Sequence, residues 1–152
     1  MRKILSALLA FILVLTLLPV DTYAAQVSES KSIIEFDDGS YIEIRVEETA
    51  VRATNTKNGS KTYSYYDSND NLEWTAKLSA SFTYNGTTSS CTSGSCTVTI
   101  YESNWYEYSN TTTRSGSTAT TALVMGRKFV GVTVSKPEYT ITLTCDKNGN
   151  LS

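Results

Sequence analysis

From Trp74 to Tyr84 the chain alternates without a break. Trp74, Ala76, Leu78, Ala80, Phe82 and Tyr84 take the even positions, and Thr75, Lys77, Ser79, Ser81 and Thr83 the odd ones. A period of two sends successive side chains to opposite faces of an extended strand, so this segment predicts a strand with one face buried. Asn85-Gly86 follows, a pair that tolerates positive φ and turns a hairpin. The same alternation recurs on both sides. Ser32–Phe36 and Tyr41–Glu47 flank the turn Asp37-Asp38-Gly39-Ser40, with Ile42, Ile44 and Val46 in phase. Lys61–Tyr66 is a Tyr-rich strand, turned into the central one by Asp67-Ser68-Asn69-Asp70-Asn71. Downstream come Thr97–Glu102, an aromatic segment Trp105–Tyr108, and a polar loop Asn110–Gly116. Three strands follow: Ser117–Met125, Arg127–Val134 with Val130, Val132 and Val134 in phase, and Glu138–Cys145 with Tyr139, Ile141, Leu143 and Cys145 in phase. Turns are placed at Met125-Gly126-Arg127 and Ser135-Lys136-Pro137. No segment has helical periodicity. The expected fold is all-β: an antiparallel β-sandwich, or a barrel-like meander, of about eight or nine strands. Trp74 and Leu78 are expected to share a buried face with Val130, Val132, Ile141 and Leu143.

The N-terminus follows a different pattern. Met1-Arg2-Lys3 is basic, Ile4–Val20 runs seventeen residues without a charge, and Thr22-Tyr23-Ala24 presents small residues at the first and third places of a cleavage site. This is the layout of a secretory signal peptide, residues 1–24, cut after Ala24. The rival reading is an uncleaved anchor, but seventeen residues sit at the short limit for spanning a bilayer and a cleavage site follows them. The expected localisation is therefore extracellular, with membrane contact only through the signal peptide before cleavage. Residues 25–60 then read as a hairpin and a flexible connection, Glu47–Ser60, closing on Asn58-Gly59-Ser60; residues 61–152 read as the main β domain.

Composition refines this picture. Removing Arg2, Lys3 and Asp21 from 13 basic and 15 acidic residues leaves 11 and 14, a net charge of −3. That balance argues against nucleic acid as a partner and against a basic face for anionic lipid. Ser and Thr supply 40 of the 128 residues after Ala24, which suits a pleated, half-solvated surface. The chain has no histidine, so Ser-His-Asp and Cys-His nucleophile pairs and histidine-containing zinc sites are excluded. Carboxylate chemistry remains open. The Asp67–Asn71 run has oxygens at alternate positions but lacks the glycine and distal glutamate of a calcium loop, so it reads as a turn. No metal or other cofactor is expected. Among the aromatics, Trp105, Tyr106 and Tyr108 are the candidate binding surface, because both faces of their segment carry rings and burying one face leaves the other out.

Three cysteines leave one thiol over or shared between chains. Cys91–Cys96 would close six residues and Cys91–Cys145 fifty-five, stabilising by about 2 and about 4 kcal/mol in the chain-entropy model. Spacing alone leaves both pairings open.

The residues Trp74, Phe82-Thr83-Tyr84-Asn85-Gly86, Cys91, Asn104-Trp105, Leu143-Thr144-Cys145 and Asn148-Gly149 resemble a group of uncharacterised small secreted β-rich proteins of Gram-positive bacteria. The resemblance covers roughly residues 61–152. It implies export, a β fold and a bridge between Cys91 and Cys145, with Cys96, which departs from the pattern, free or intermolecular. It implies no activity. The expected function is a non-catalytic module binding a glycan or a protein partner at or beyond the cell surface. A small secreted effector of toxin or bacteriocin type is the alternative, and a carboxylate-dependent hydrolase the third reading.

Overall fold

A computed structural model describes residues 27–49 and 55–152 of the chain. The expected signal peptide, residues 1–24, and its cleavage site lie outside the described residues. Nine strands and no helix are found among the described residues: β1 Val27–Glu35, β2 Tyr41–Thr49, β3 Thr56–Tyr66, β4 Leu72–Tyr84, β5 Ser89–Ile100, β6 Trp105–Ser115, β7 Thr118–Phe129, β8 Val132–Ser135 and β9 Glu138–Thr144. They form two antiparallel sheets. The first has the order β1-β2-β3-β4-β5, so each strand pairs with the next in sequence. In the second, β6 lines one edge of β7, while β8 and then β9 follow the other edge.

The central strand behaves as its alternation requires. Trp74, Ala76, Leu78, Ala80 and Phe82 are buried, and Lys77, Ser79 and Thr83 are exposed. Across the core, the second sheet contributes Trp105, Ala119, Leu123, Met125, Ile141, Leu143 and Cys145. Ring packing holds one end of this core together. Tyr65 and Trp74 stack at 5.4 Å with an interplanar angle of 1°, Trp105 meets both edge-on, and Tyr139 tilts against Trp74 at 5.1 Å. Offset and edge contacts of this kind add about 0.5–1.5 kcal/mol per pair beyond burial.

Five expectations need correction. Val130 and Val132 do not join Trp74 and Leu78 in the core. They are 85% and 66% exposed, and Val134 is exposed beside them, whereas Ile141 and Leu143 are buried as expected. Met125-Gly126-Arg127 is no turn, because β7 runs through it and reverses at Val130-Gly131. The glycine serves close approach: a Cβ on Gly126 would lie 2.1 Å from the Tyr106 ring. Asn58-Gly59-Ser60 is likewise no flexible connection but part of β3, paired to β2 on one side and β4 on the other. Here a Cβ on Gly59 would lie 2.1 Å from the Leu151 side chain. Glycine inside a strand often marks such a contact. The polar segment Asn110–Ser115 is not loop but the second half of β6, with Thr112 and Thr121 hydroxyls bonded across the pair at 2.8 Å. The segment read as Thr97–Glu102 is part of a longer strand, β5, which begins at Ser89 and ends at Ile100.

Two turns share one chemistry. In Asp67–Asn71 and in Asp146–Asn150 the first carboxylate accepts backbone N–H bonds from residues two and four positions on, and a further bond from the last Asn side chain. The fourth residue takes positive φ, Asp70 at 64° and Gly149 at 88°. Both carboxylates are therefore spent on the turn, as an Asx residue's often is. The Asn71 amide and backbone N–H hold the Asp67 carboxyl down from 3.8 to about 2. A depressed acid adds stability that is complete above its unfolded value and is lost as pH falls through its folded value. A carbon-detected NMR titration should give Asp67 a midpoint near 2, with the turn loosening between about pH 4 and pH 2. A midpoint at 3.8 would show that the turn does not hold the carboxylate.

Candidate functional site

The strand register gathers side chains from five separate parts of the chain at one end of the two sheets. The β1–β2 turn supplies Phe36, Asp38 and Ser40, β3 supplies Tyr65, β6 starts at Trp105, β7 supplies Arg127, and the run from the β8–β9 connection into β9 supplies Lys136, Pro137 and Tyr139. Between them lies an open cleft of about 440 Å³. Its apolar wall is aromatic, with Phe36 and Tyr65 rings 6.3 Å apart. Burial pushes the Tyr139 phenol well above its ordinary range, so it faces the cleft as a neutral hydroxyl. A smaller cavity of about 60 Å³ beside it is lined by Asp38, Asp67, Glu73 and Arg127, among others.

The structure separates the three aromatics expected to form a binding surface. Trp105 is only 5% exposed, and its indole N–H donates to the buried Glu73 carboxylate at 2.5 Å. As an exposed stacking residue Trp105 is therefore corrected: it belongs to the core and shows the cleft only part of its ring. Tyr106 is half-buried because its ring lies over Gly126, where β7 has no side chain. Tyr108, at an irregularity in the β6–β7 register, is 56% exposed. Each ring carries a cation: Arg127 sits 5.6 Å from the Trp105 ring centroid, Lys128 4.8 Å from that of Tyr106, and Lys136 3.8 Å from that of Tyr108. Such contacts favour a cation held over a ring face. The Tyr106 hydroxyl also pairs with that of Thr133 on β8 at 2.9 Å.

Beyond this patch the β7–β8 hairpin projects Phe129, Val130, Val132 and Val134, each more than half exposed. Its two-residue turn has positive φ at both positions, 49° at Val130 and 78° at Gly131. Asn or Gly would take the first position without strain, whereas a β-branched residue is an outlier there.

The acids are largely engaged. The Ser40 hydroxyl and N–H lower the Asp38 carboxyl, with Arg127 a lesser influence. Asp67 is occupied by its turn. Among the described residues no group of three or more His, Cys, Asp or Glu is placed to hold a metal ion, and no helix is long and apolar enough to cross a membrane. A groove of about 330 Å³ on the first sheet is lined mainly by serines and by Lys77 and Glu47, which pair with each other at 3.1 Å.

The three cysteines are free thiols, so the expected Cys91–Cys145 bridge is not formed in this structure. Within β5, Cys91 lies opposite Phe82 and Cys96 opposite Leu78. Four residues of strand separate these partners by about 13 Å, well beyond the ~7 Å a bridge allows. Cys91 and Cys145 meet the same turn: the Cys91 N–H donates to the Gly116 carbonyl at 2.8 Å, and the Cys145 N–H to the Ser117 carbonyl at 3.0 Å.

No family model matches the chain, no curated protein matches it, and no solved structure matches its fold.

The cleft residues Phe36, Asp38, Arg127 and Tyr139 were not singled out in the sequence. Only Arg127 belongs to a stretch with a visible signal, Arg127–Lys136, R-K-F-V-G-V-T-V-S-K, where cations bracket an apolar centre.

Proposed function

We propose that the chain is an exported, non-catalytic binding module of β-sandwich type that engages its ligand in the aromatic cleft. The observation that carries this reading is the cleft's wall: Phe36, Tyr65, Trp105 and Tyr139 beside Arg127, Lys136 and Asp38. Concave sites that combine apolar rings with a few polar groups are the usual form of small-ligand sites. Of these rings Phe36 is the exposed one; a ring open to a sugar face, next to charges that bond its hydroxyls or acidic groups, suits a glycan. The hydrolase reading draws on Asp38, Asp67 and Glu73 around the smaller cavity. It has less support, because each of those carboxylates already accepts hydrogen bonds from a turn or from Trp105.

Phe36→Ala and Arg127→Gln test the reading at the rim, where side chains are exposed and the fold should survive. On a glycan array, each variant should lose roughly tenfold or more of the wild-type signal, the scale of an aromatic or Arg hot spot. Binding unchanged in both, with the same melting temperature, would remove the cleft as the ligand site.

A further inference from the structure

We propose that the β7–β8 hairpin is a docking element for acidic phospholipid bilayers, placing Phe129, Val130 and Val132 among the acyl chains and Lys128 and Lys136 at the headgroups. The chain as a whole is acidic, yet the ten residues Arg127–Lys136 hold three cations and no carboxylate. None of these cations forms an ion pair among the described residues. Polarity is ordered along the hairpin axis. Val130 and Gly131 form the apex, the Phe129–Val132 pair comes next, and the Lys128–Thr133 pair follows. Tyr106 and Tyr108 then lie under Lys128 and Lys136. An apolar end, a level of tyrosines and cations, and a polar body match the depth profile of a membrane interface. Juxtaposed lysines add attraction for an anionic leaflet.

Two features favour lipid over a protein partner. The apolar residues are convex and at an apex, so a protein would have to supply a matching pocket, whereas a bilayer needs none. The apex also holds a β-branched valine at φ 49° where Asn or Gly would fit without strain. The strain is explained if the position needs an apolar side chain more than it needs an easy turn. The apolar apex is separate from the cleft, since Phe129, Val130 and Val132 do not line it; Lys136 alone is shared by the two readings.

The test is cosedimentation of the exported form, residues 25–152, with phosphatidylglycerol–phosphatidylcholine vesicles and with pure phosphatidylcholine vesicles. Without the apolar run Ile4–Val20, vesicle binding reports the hairpin. Phe129→Ser with Val130→Asn should lower partitioning roughly tenfold or more. Its melting temperature should hold or rise, because Asn tolerates the positive φ. Lys128→Gln and Lys136→Gln should each cost about fivefold, and only on the anionic vesicles. Val130→Trp should shift its emission to the blue on anionic vesicles, against the constant background of the buried Trp74 and Trp105. A folded Phe129→Ser/Val130→Asn variant that binds like wild type overturns the proposal. So does equal binding to neutral vesicles, or self-association through the hairpin in a protein that ignores vesicles and thereby docks a second copy.

Discussion

Replacing Trp74 by alanine should cost about 3–5 kcal/mol, the range for a large aromatic removed from a packed core, whereas Trp74→Phe should cost far less. Trp74 is fully buried against Tyr65, Trp105 and Tyr139, yet its indole N–H has no hydrogen-bond partner. An orphaned buried donor costs about 1–3 kcal/mol, so phenylalanine keeps much of the stacking and removes that penalty. Trp105 lies only 6.1 Å from Trp74 and makes the opposite case. Its N–H is the donor to Glu73, and Trp105→Phe strips a buried carboxylate of that bond, at about 1–3 kcal/mol or more. Both Trp→Phe changes lose similar ring area, so the gap between them isolates the two N–H groups. Urea unfolding should rank Trp105→Phe as clearly more destabilising than Trp74→Phe. Equal losses would mean that the Trp105–Glu73 bond does not matter.

Under oxidising conditions a Cys91–Cys145 disulfide should form and raise stability by about 4 kcal/mol over the reduced form. Both backbones are tied to the β6–β7 turn at Gly116-Ser117, and the Ser89 hydroxyl bonds the Cys145 carbonyl at 2.7 Å. Two thiols would lose two protons and two electrons to a disulfide oxidant. Cys96 lies on the inner face of β5, and burial raises its thiol pKa. It should therefore remain protonated and slow to alkylate until the chain unfolds. Peptide mapping without reductant checks the pairing. A Cys91–Cys96 peptide with Cys145 alkylated would refute both the bridge and the extended course of β5.

What could be read from the chain depended on whether one face of a strand meets the core. β4 and β9 were legible because Trp74–Tyr84 and Tyr139–Cys145 alternate apolar with polar. The second half of β6 was not, since Ser, Thr, Asn and Arg fill both of its faces and no period survives. The valines of Arg127–Val134 do alternate, but the hairpin projects past the core, and phase cannot show where a sheet ends. Gly126 reads as a turn and Gly59 as part of a flexible connection, whereas each makes room for a side chain, Tyr106 or Leu151, that is far away in sequence. The cleft was hidden for the same reason. Phe36, Tyr65, Trp105, Arg127 and Tyr139 meet only because two sheets pack, and no local pattern encodes that packing.

The strictly sequential pairing of β1 to β5 also orders events in time. A chain delivered N-terminus first can zip its first sheet one hairpin after another, each step closing only a short loop. The inner face of that sheet, with Trp74, Leu78 and Phe82, then stays uncovered until β7 and β9 arrive, since Met125, Ile141 and Leu143 supply the opposing layer. A half-delivered chain is thus a paired sheet with a bare apolar face, the kind of species that aggregates unless it is shielded. Its most vulnerable interval lasts from the completion of β5 to the docking of Glu138–Thr144.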